Sequence, residues 1–121
     1  MNKLISIVIP CLNEEKNIKI LYAQLVKIMS ALSKYDFEVI FIDNSSIDNS
    51  VLELKKLAAK DKRVKIIINN KNFGFQRSPV HGLMQSSGDA AILIGCDMQE
   101  SSELIFKLVE AWERLNGCPT R

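Results

Sequence analysis

The sequence predicts an α/β protein: a Rossmann-like parallel sheet with helices on both faces. Short β-branched apolar runs alternate with longer stretches whose apolar residues recur at three- and four-residue steps. The alternation is strict, and such an order closes into a parallel sheet covered by helices. Each apolar run also stops abruptly in a polar turn, most sharply where Ala90 to Ile94 gives way to Asp97-Met98-Gln99-Glu100. A chain of 121 residues is enough for one core and too short for two. Residues 1–121 therefore read as a single domain without linker or repeat.

The elements follow in order. Leu4 to Ile9 is a β-branched run closed by Pro10, suited to a buried first strand. Asn13-Glu14-Glu15 opens a helix, because acidic residues in a first turn complement the macrodipole. Ile18, Leu21, Tyr22, Leu25, Ile28, Met29 and Leu32 form its apolar stripe. Phe37 to Ile42 is a second strand, ending at Asp43-Asn44-Ser45-Ser46. Asp48 or Ser50 is placed to cap a helix with Val51, Leu54, Leu57 and Ala58 on one face.

Val64 to Ile68 is a third strand, followed by Asn69-Asn70-Lys71-Asn72. A helix is expected from about Pro79 to Ser87, since proline suits a first helical position, and Gly88 ends it. Ala90 to Ile94 is the fourth strand, short and apolar enough to be buried on both faces. Ser101 or Ser102 is placed to cap a last helix bearing Leu104, Ile105, Leu108, Val109, Trp112 and Leu115. Gly117 and Pro119 stop it.

Composition narrows the function. Sixteen basic and 14 acidic residues leave a net charge of +2, and no basic block is interleaved with aromatics, so no nucleic-acid partner is expected. Three cysteines without CxxC spacing argue for a reducing compartment and against a structural zinc site. No apolar run reaches the length of a membrane span, and the apolar segment before Pro10 is too short for a signal peptide. The expected location is cytoplasmic.

Parallel topology gathers the carboxyl ends of the strands on one edge, where open α/β sheets bind ligands. That edge would carry Pro10-Cys11-Leu12-Asn13-Glu14-Glu15, Asp43-Asn44-Ser45-Ser46, Asn69-Asn70-Lys71-Asn72 and Asp97-Met98-Gln99. Asn, Asp and Ser also dominate turns for local hydrogen-bonding reasons, so turn chemistry alone is the competing reading. Neither GxGxxG nor GxxxxGK[ST] occurs, which removes the usual phosphate cradles. A divalent cation held by Asp97 is then the economical way to hold phosphates, and hard oxygen ligands suit Mg²⁺ or Mn²⁺. Asp43 could accept from a nucleobase N–H or a ribose hydroxyl, and Lys71 could neutralise a phosphate.

At these same positions the chain resembles a family-2 glycosyltransferase of GT-A fold, in its nucleotide-binding half. Ser6-Ile7-Val8-Ile9-Pro10-Cys11-Leu12-Asn13-Glu14-Glu15-Lys16-Asn17-Ile18 is similar to that family's opening segment. Asp43-Asn44-Ser45-Ser46-Ile47-Asp48 resembles its Asp-Asp-Gly-Ser-x-Asp motif. Asn72-Phe73-Gly74-Phe75-Gln76, Gly82-Leu83 and Ser87-Gly88-Asp89 follow in register. Gly95-Cys96-Asp97-Met98-Gln99-Glu100-Ser101-Ser102-Glu103 resembles Asp-x-Asp-Leu-Gln-Asp-Pro-Pro-Glu, the version in the branch that uses polyprenyl-phosphate acceptors, such as dolichyl-phosphate mannose synthase and bactoprenol glucosyltransferases.

The resemblance implies a domain that binds a UDP- or GDP-linked sugar with Mg²⁺ or Mn²⁺ and transfers the sugar to a lipid-phosphate or glycan acceptor. It implies that Pro10, Asn13 and Glu15 lie beside the nucleotide and that Asp43 binds its base. Asp97 would bind metal and diphosphate, with Gln99 as a further metal ligand. Lys71 stands where that branch often has arginine and would contact phosphate.

Five positions depart from the family: Gly95 for the first aspartate of Asp-x-Asp, Asn44 and Ser45 in the second-strand motif, and Ser101-Ser102 for the proline pair. In this family the acceptor half lies downstream of the Asp-x-Asp segment. The chain is therefore expected to be the donor-binding part, with little transfer activity alone and no assigned catalytic base. The whole protein is expected at the cytoplasmic membrane face. An apolar surface left without that half could pair two copies of the chain as a homodimer. The departures keep open a non-catalytic nucleotide-binding module or degenerate homologue, and shared architecture keeps open a flavodoxin-like signalling domain.

His81, on the helix expected after Pro79, reads as a packing or surface residue, and Cys11 and Cys96 as small apolar ones. Trp112 continues an apolar stripe and reads as core packing rather than a sugar-stacking platform.

Overall fold

The computed structural model describes residues 3–44, 46–69, 88–95 and 101–115. These form β1 (Leu4–Cys11), α1 (Glu15–Ala31), β2 (Asp36–Asn44), α2 (Ser50–Lys60), β3 (Val64–Asn69), β4 (Ala90–Leu93) and α3 (Ser101–Leu115). The strands make one four-stranded sheet in the order β3-β2-β1-β4, and every pairing is parallel. The alternating α/β order read from the sequence is thus present. The helix expected over 79–87 lies outside the described residues.

Period-two alternation sorts the strands into two faces. On one face, Ile92, Ile7, Val39 and Val64 are successive cross-strand neighbours, as are Ile9, Phe41 and Ile66. Against this face pack Ile18, Leu21, Leu25, Ile28 and Met29 of α1, Leu54 and Leu57 of α2, and Ile105 and Val109 of α3. All three described helices therefore share one face, and the stripes read from the sequence are their buried sides. The other face carries a smaller cluster of Val8, Ile40 and Ile42 with Ile67 against it, and a polar row of Ser6, Glu38 and Lys65.

Pro10 does not end β1; the strand runs through it to Cys11. The carbonyls of Leu4 and Val8 accept the Asp89 and Ile94 N–H groups, so alternate residues of β1 turn their backbone toward β4. Pro10 continues that set, one step past the last pair, Val8 with Leu93. Its missing N–H therefore costs no bond with β2, which is where proline is tolerated in a sheet.

The fourth strand differs from its expectation. Ala90 to Leu93 lies at the margin of the described sheet, and Leu93 is 42% exposed, so the strand is not buried on both faces. Composition cannot separate an apolar edge strand from an apolar interior one; position in the sheet decides it. The order also places a topological switch point between β1 and β4, because α1 leads from β1 to one side while β4 pairs on the other. A crevice at such a point, outside the carboxyl ends of the strands, is the favoured ligand position in open α/β sheets.

Candidate functional site

At the carboxyl edge, the β1–α1 and β2–α2 connections are stitched together. Asp43 comes at the end of β2, opposite Cys11 of β1, and is fully buried. Its carboxylate accepts the Ser46 backbone N–H at 3.0 Å on one oxygen and the Ser46 hydroxyl at 2.5 Å on the other. Ser46 Oγ in turn accepts the Asn13 N–H at 2.9 Å, and Asn13 Oδ1 accepts the Ile47 N–H at 2.8 Å. Asn13 holds a φ of 53°, a left-handed conformation that asparagine tolerates better than most residues.

A second stitch caps α1. Glu14, the residue before the helix, makes no side-chain cap. The first exposed N–H groups of α1 are met across the loop instead, Glu14 N–H by Ser50 Oγ at 2.8 Å and Glu15 N–H by Asp48 Oδ2 at 3.4 Å. Asp48 Oδ1 accepts both the backbone N–H and the hydroxyl of Ser50. Burial pushes the Asp48 carboxyl up, but the Ser50 hydroxyl and the backbone N–H groups of Ser50 and Glu15 outweigh it and hold the carboxyl below its ordinary value. Helix α2 takes Asn49 as its N-cap without a side-chain bond, while Ser50, expected as a cap for its own helix, serves α1.

Four of the sequence-predicted site residues are thus brought to one edge: Pro10 and Asp43 on adjacent strands, Asn13 in the turn and Glu15 at the first position of α1. Lys71, Asp97 and Gln99 lie outside the described residues, as do His81, Cys96 and Cys118. Cys11 is buried among apolar neighbours, as read from the sequence. Ser46 and Ser50 were not singled out for the site. Ser46 bonds Asp43 three residues before it, but its tie to Asn13 and that of Ser50 to Glu14 span 33 and 36 residues, which no local spacing encodes.

Two aliphatic side chains at this edge are exposed. Ile68, the β3 partner of Asp43, is 48% exposed, and Leu12, which follows Cys11, is 41% exposed. Among the described residues no group of three His, Cys, Asp or Glu side chains could hold a metal ion. The donors assigned to the metal, a carboxylate from Asp97 and an amide oxygen from Gln99, are hard oxygens of the kind Mg²⁺ and Mn²⁺ take.

A separate cleft of about 470 Å³ opens between β4 and α3, lined among others by Ala91, Leu93, Leu108 and Trp112. Trp112 packs against the main core and against Tyr35 at 5.7 Å, in line with a packing role. Among the described residues no helix is long and apolar enough to cross a membrane.

A parallel sheet with this strand order, with its switch point between β1 and β4, defines a Rossmann-like α/β domain. The family model for glycosyl transferase family 2 matches residues 6–118, and the chain belongs to that family. It is 34% identical over 110 residues to the putative glycosyltransferase CsbB of Bacillus subtilis, covering 91% of this chain and 33% of that protein. It is 36% identical over 109 residues to the bactoprenol glucosyl transferase of Shigella phage SfX, covering 90% of this chain and 35% of that protein. The chain thus spans about a third of the length of these relatives. The fold is similar to that of the mannosyltransferase PcManGT from Pyrobaculum calidifontis, solved with GDP-Man and Mn²⁺. The TM-score is 0.69 at 15% identity, over 80% of this chain and 28% of that one.

Proposed function

We propose that residues 1–121 are the donor-binding unit of a family-2 glycosyltransferase. The unit binds a nucleotide-diphosphate sugar with Mg²⁺ or Mn²⁺, and the whole protein moves the sugar to a lipid-phosphate or glycan acceptor. The observation that carries this reading is the buried Asp43 carboxylate, pinned by Ser46 at the carboxyl edge and flanked by exposed Ile68 and Leu12. In this reading Asp43 accepts from the base, Pro10, Asn13 and Glu15 wall the nucleotide, and Lys71 faces phosphate. Asp97 and Gln99 hold the metal. The cation supplies charge that offsets the negative charge growing on the departing diphosphate. Support for the substrate class comes from the bactoprenol glucosyl transferase relative and from the GDP-Man and Mn²⁺ bound by the mannosyltransferase of like fold. The relative's name also supports a lipid-linked acceptor, and we place the whole protein at the cytoplasmic membrane face as part of this proposal.

Calorimetry with UDP, GDP and their sugars, with and without Mn²⁺, tests the proposal. Metal-dependent binding of one nucleotide is the expected result; no binding at millimolar concentration overturns it.

Gly95 favours a second reading. Where the family has the first aspartate of Asp-x-Asp, this chain offers no carboxylate, so a nucleotide-binding module without catalysis also fits. Sugar transfer by the full-length protein separates the two. Pairing of two copies is a further proposal, for which exposed Leu93, Phe106 and Leu108 supply apolar surface. Sedimentation of the same samples tests it.

A further inference from the structure

The strand that leads to Asp97 is the least constrained in the sheet by its own sequence. Ala90 to Leu93 has four residues and pairs, among the described residues, with β1 alone. A slip of two residues keeps every side chain on its face, so the apolar pattern of Ala90-Ala91-Ile92-Leu93-Ile94 discriminates weakly between registers. Such a slip would carry the point where the chain leaves the sheet by about 6.6 Å. Something other than the strand must set the register.

A polar chain on the second face reaches the entry of this strand. Lys65 Nζ donates to Glu38 Oε1 at 2.9 Å, and Ser6 Oγ donates to Glu38 Oε2 at 2.7 Å. Glu38 is 3% exposed and Ser6 is fully buried. A hydroxyl has one proton, and the carboxylate takes it, so Ser6 can only accept toward its other neighbour. That neighbour is the Gly88 N–H at 2.9 Å, two residues before β4. The next residue completes the lock: the Asp89 N–H donates to the Leu4 carbonyl at 2.7 Å, and the Leu4 N–H donates to Asp89 Oδ2 at 2.8 Å. The approach is close enough that a Cβ on Gly88 would lie 2.4 Å from Ser6 Oγ and 2.8 Å from the Ser6 nitrogen. The chain from Lys65 through Glu38 and Ser6 to Gly88 thus joins β3, β2, β1 and the entry of β4.

We propose that Ser6, held as an acceptor by Glu38, is a positioning residue that fixes the register at which β4 reaches the carboxyl edge, four residues before Asp97 in the sequence. This rests on the proposed metal role of Asp97, while its own claim concerns Ser6. Asp43 lies five residues past Glu38 on β2 and is held by Ser46, so the proposed base subsite is expected to be independent of Ser6.

The test compares binding of UDP with Mn²⁺ and of uridine alone, with GDP and guanosine as the second pair. Measurements use the wild-type chain, Ser6→Ala, Ser6→Thr and Asp89→Ala. The expected result for Ser6→Ala is a loss of about tenfold or more in metal-dependent nucleotide affinity, the range seen when a supporting partner of a metal site is removed. Nucleoside affinity stays unchanged, and Ser6→Thr, which keeps the hydroxyl, restores the nucleotide. Asp89→Ala alters an exposed side chain and keeps the test available if Ser6→Ala does not fold; it should shift the same affinity in the same direction. Cross-strand contacts between Ile7 and Ile92, followed by NMR without ligand, should change in both weakened variants. Equal losses for nucleotide and nucleoside, or full metal-dependent affinity in Ser6→Ala and Asp89→Ala, would overturn the proposal. A wild-type chain that binds neither nucleotide would instead defeat the functional reading, and the NMR contacts would still decide the register claim.

Discussion

Ser46 grips both carboxylate oxygens of Asp43, one through its backbone N–H and the other through its hydroxyl. The same hydroxyl receives the Asn13 N–H, so one small side chain fixes the acceptor at the end of β2 and the turn after β1. Removing it in Ser46→Ala should leave Asp43 buried but loosely aimed. The expected outcome is a stability loss of about 1–2 kcal/mol in urea unfolding, with nucleoside affinity reduced along with nucleotide affinity.

Ser50→Ala tests the cap supplied across the loop. The Glu14 N–H loses its acceptor and Asp48 loses the hydroxyl that helps hold its carboxyl ionised. Loss of an N-terminal cap costs about 1 kcal/mol, readable as a lower urea midpoint with an unchanged slope. Amide exchange should quicken first in the opening turn of α1, although the substitution lies at the start of α2.

The pH dependence has an identifiable source at the far end of the sheet. Asp61 accepts from the Arg63 guanidinium and from the Tyr22 hydroxyl, and the Arg63 bonds, first among its influences, hold its carboxyl far below the usual range. A carboxyl depressed in the folded state stabilises fully above its unfolded value of about 3.9, and that contribution fades as pH falls toward the folded value. Asp61→Asn should therefore lower stability at neutral pH and flatten the acid limb of the stability curve below about pH 4.

Gly88→Ala should be costly for a steric reason, since its Cβ would meet Ser6 Oγ and the Ala90 carbonyl at 2.4 and 2.8 Å. Overpacking of this kind costs about 1–3 kcal/mol. Thermal unfolding with and without nucleotide would measure both the loss and any part that ligand recovers.

The architecture was legible because its signals are local. The α1 stripe and the β-branched runs each repeat within one element, and the structure buries Ile18, Leu21, Leu25, Ile28 and Met29 as the spacing requires. The place of Asp43 at the carboxyl edge was legible because the apolar run of β2 stops there. The rest depended on distant partners. Nothing near Ser50 shows that its hydroxyl faces Glu14, and nothing in Ala90 to Leu93 shows that the strand lies at a margin. Pro10 looked like a strand end because the tolerance for its missing N–H is set by where β4 stops pairing.

The proposed metal-assisted binding of the donor depends on the Asp97 carboxylate, which Asp97→Ala removes. Calorimetry of UDP and GDP with Mn²⁺, run on the wild-type chain and on this variant, should show metal-dependent binding in the first and its loss in the second. Metal-dependent nucleotide binding that survives unchanged in Asp97→Ala would contradict the account.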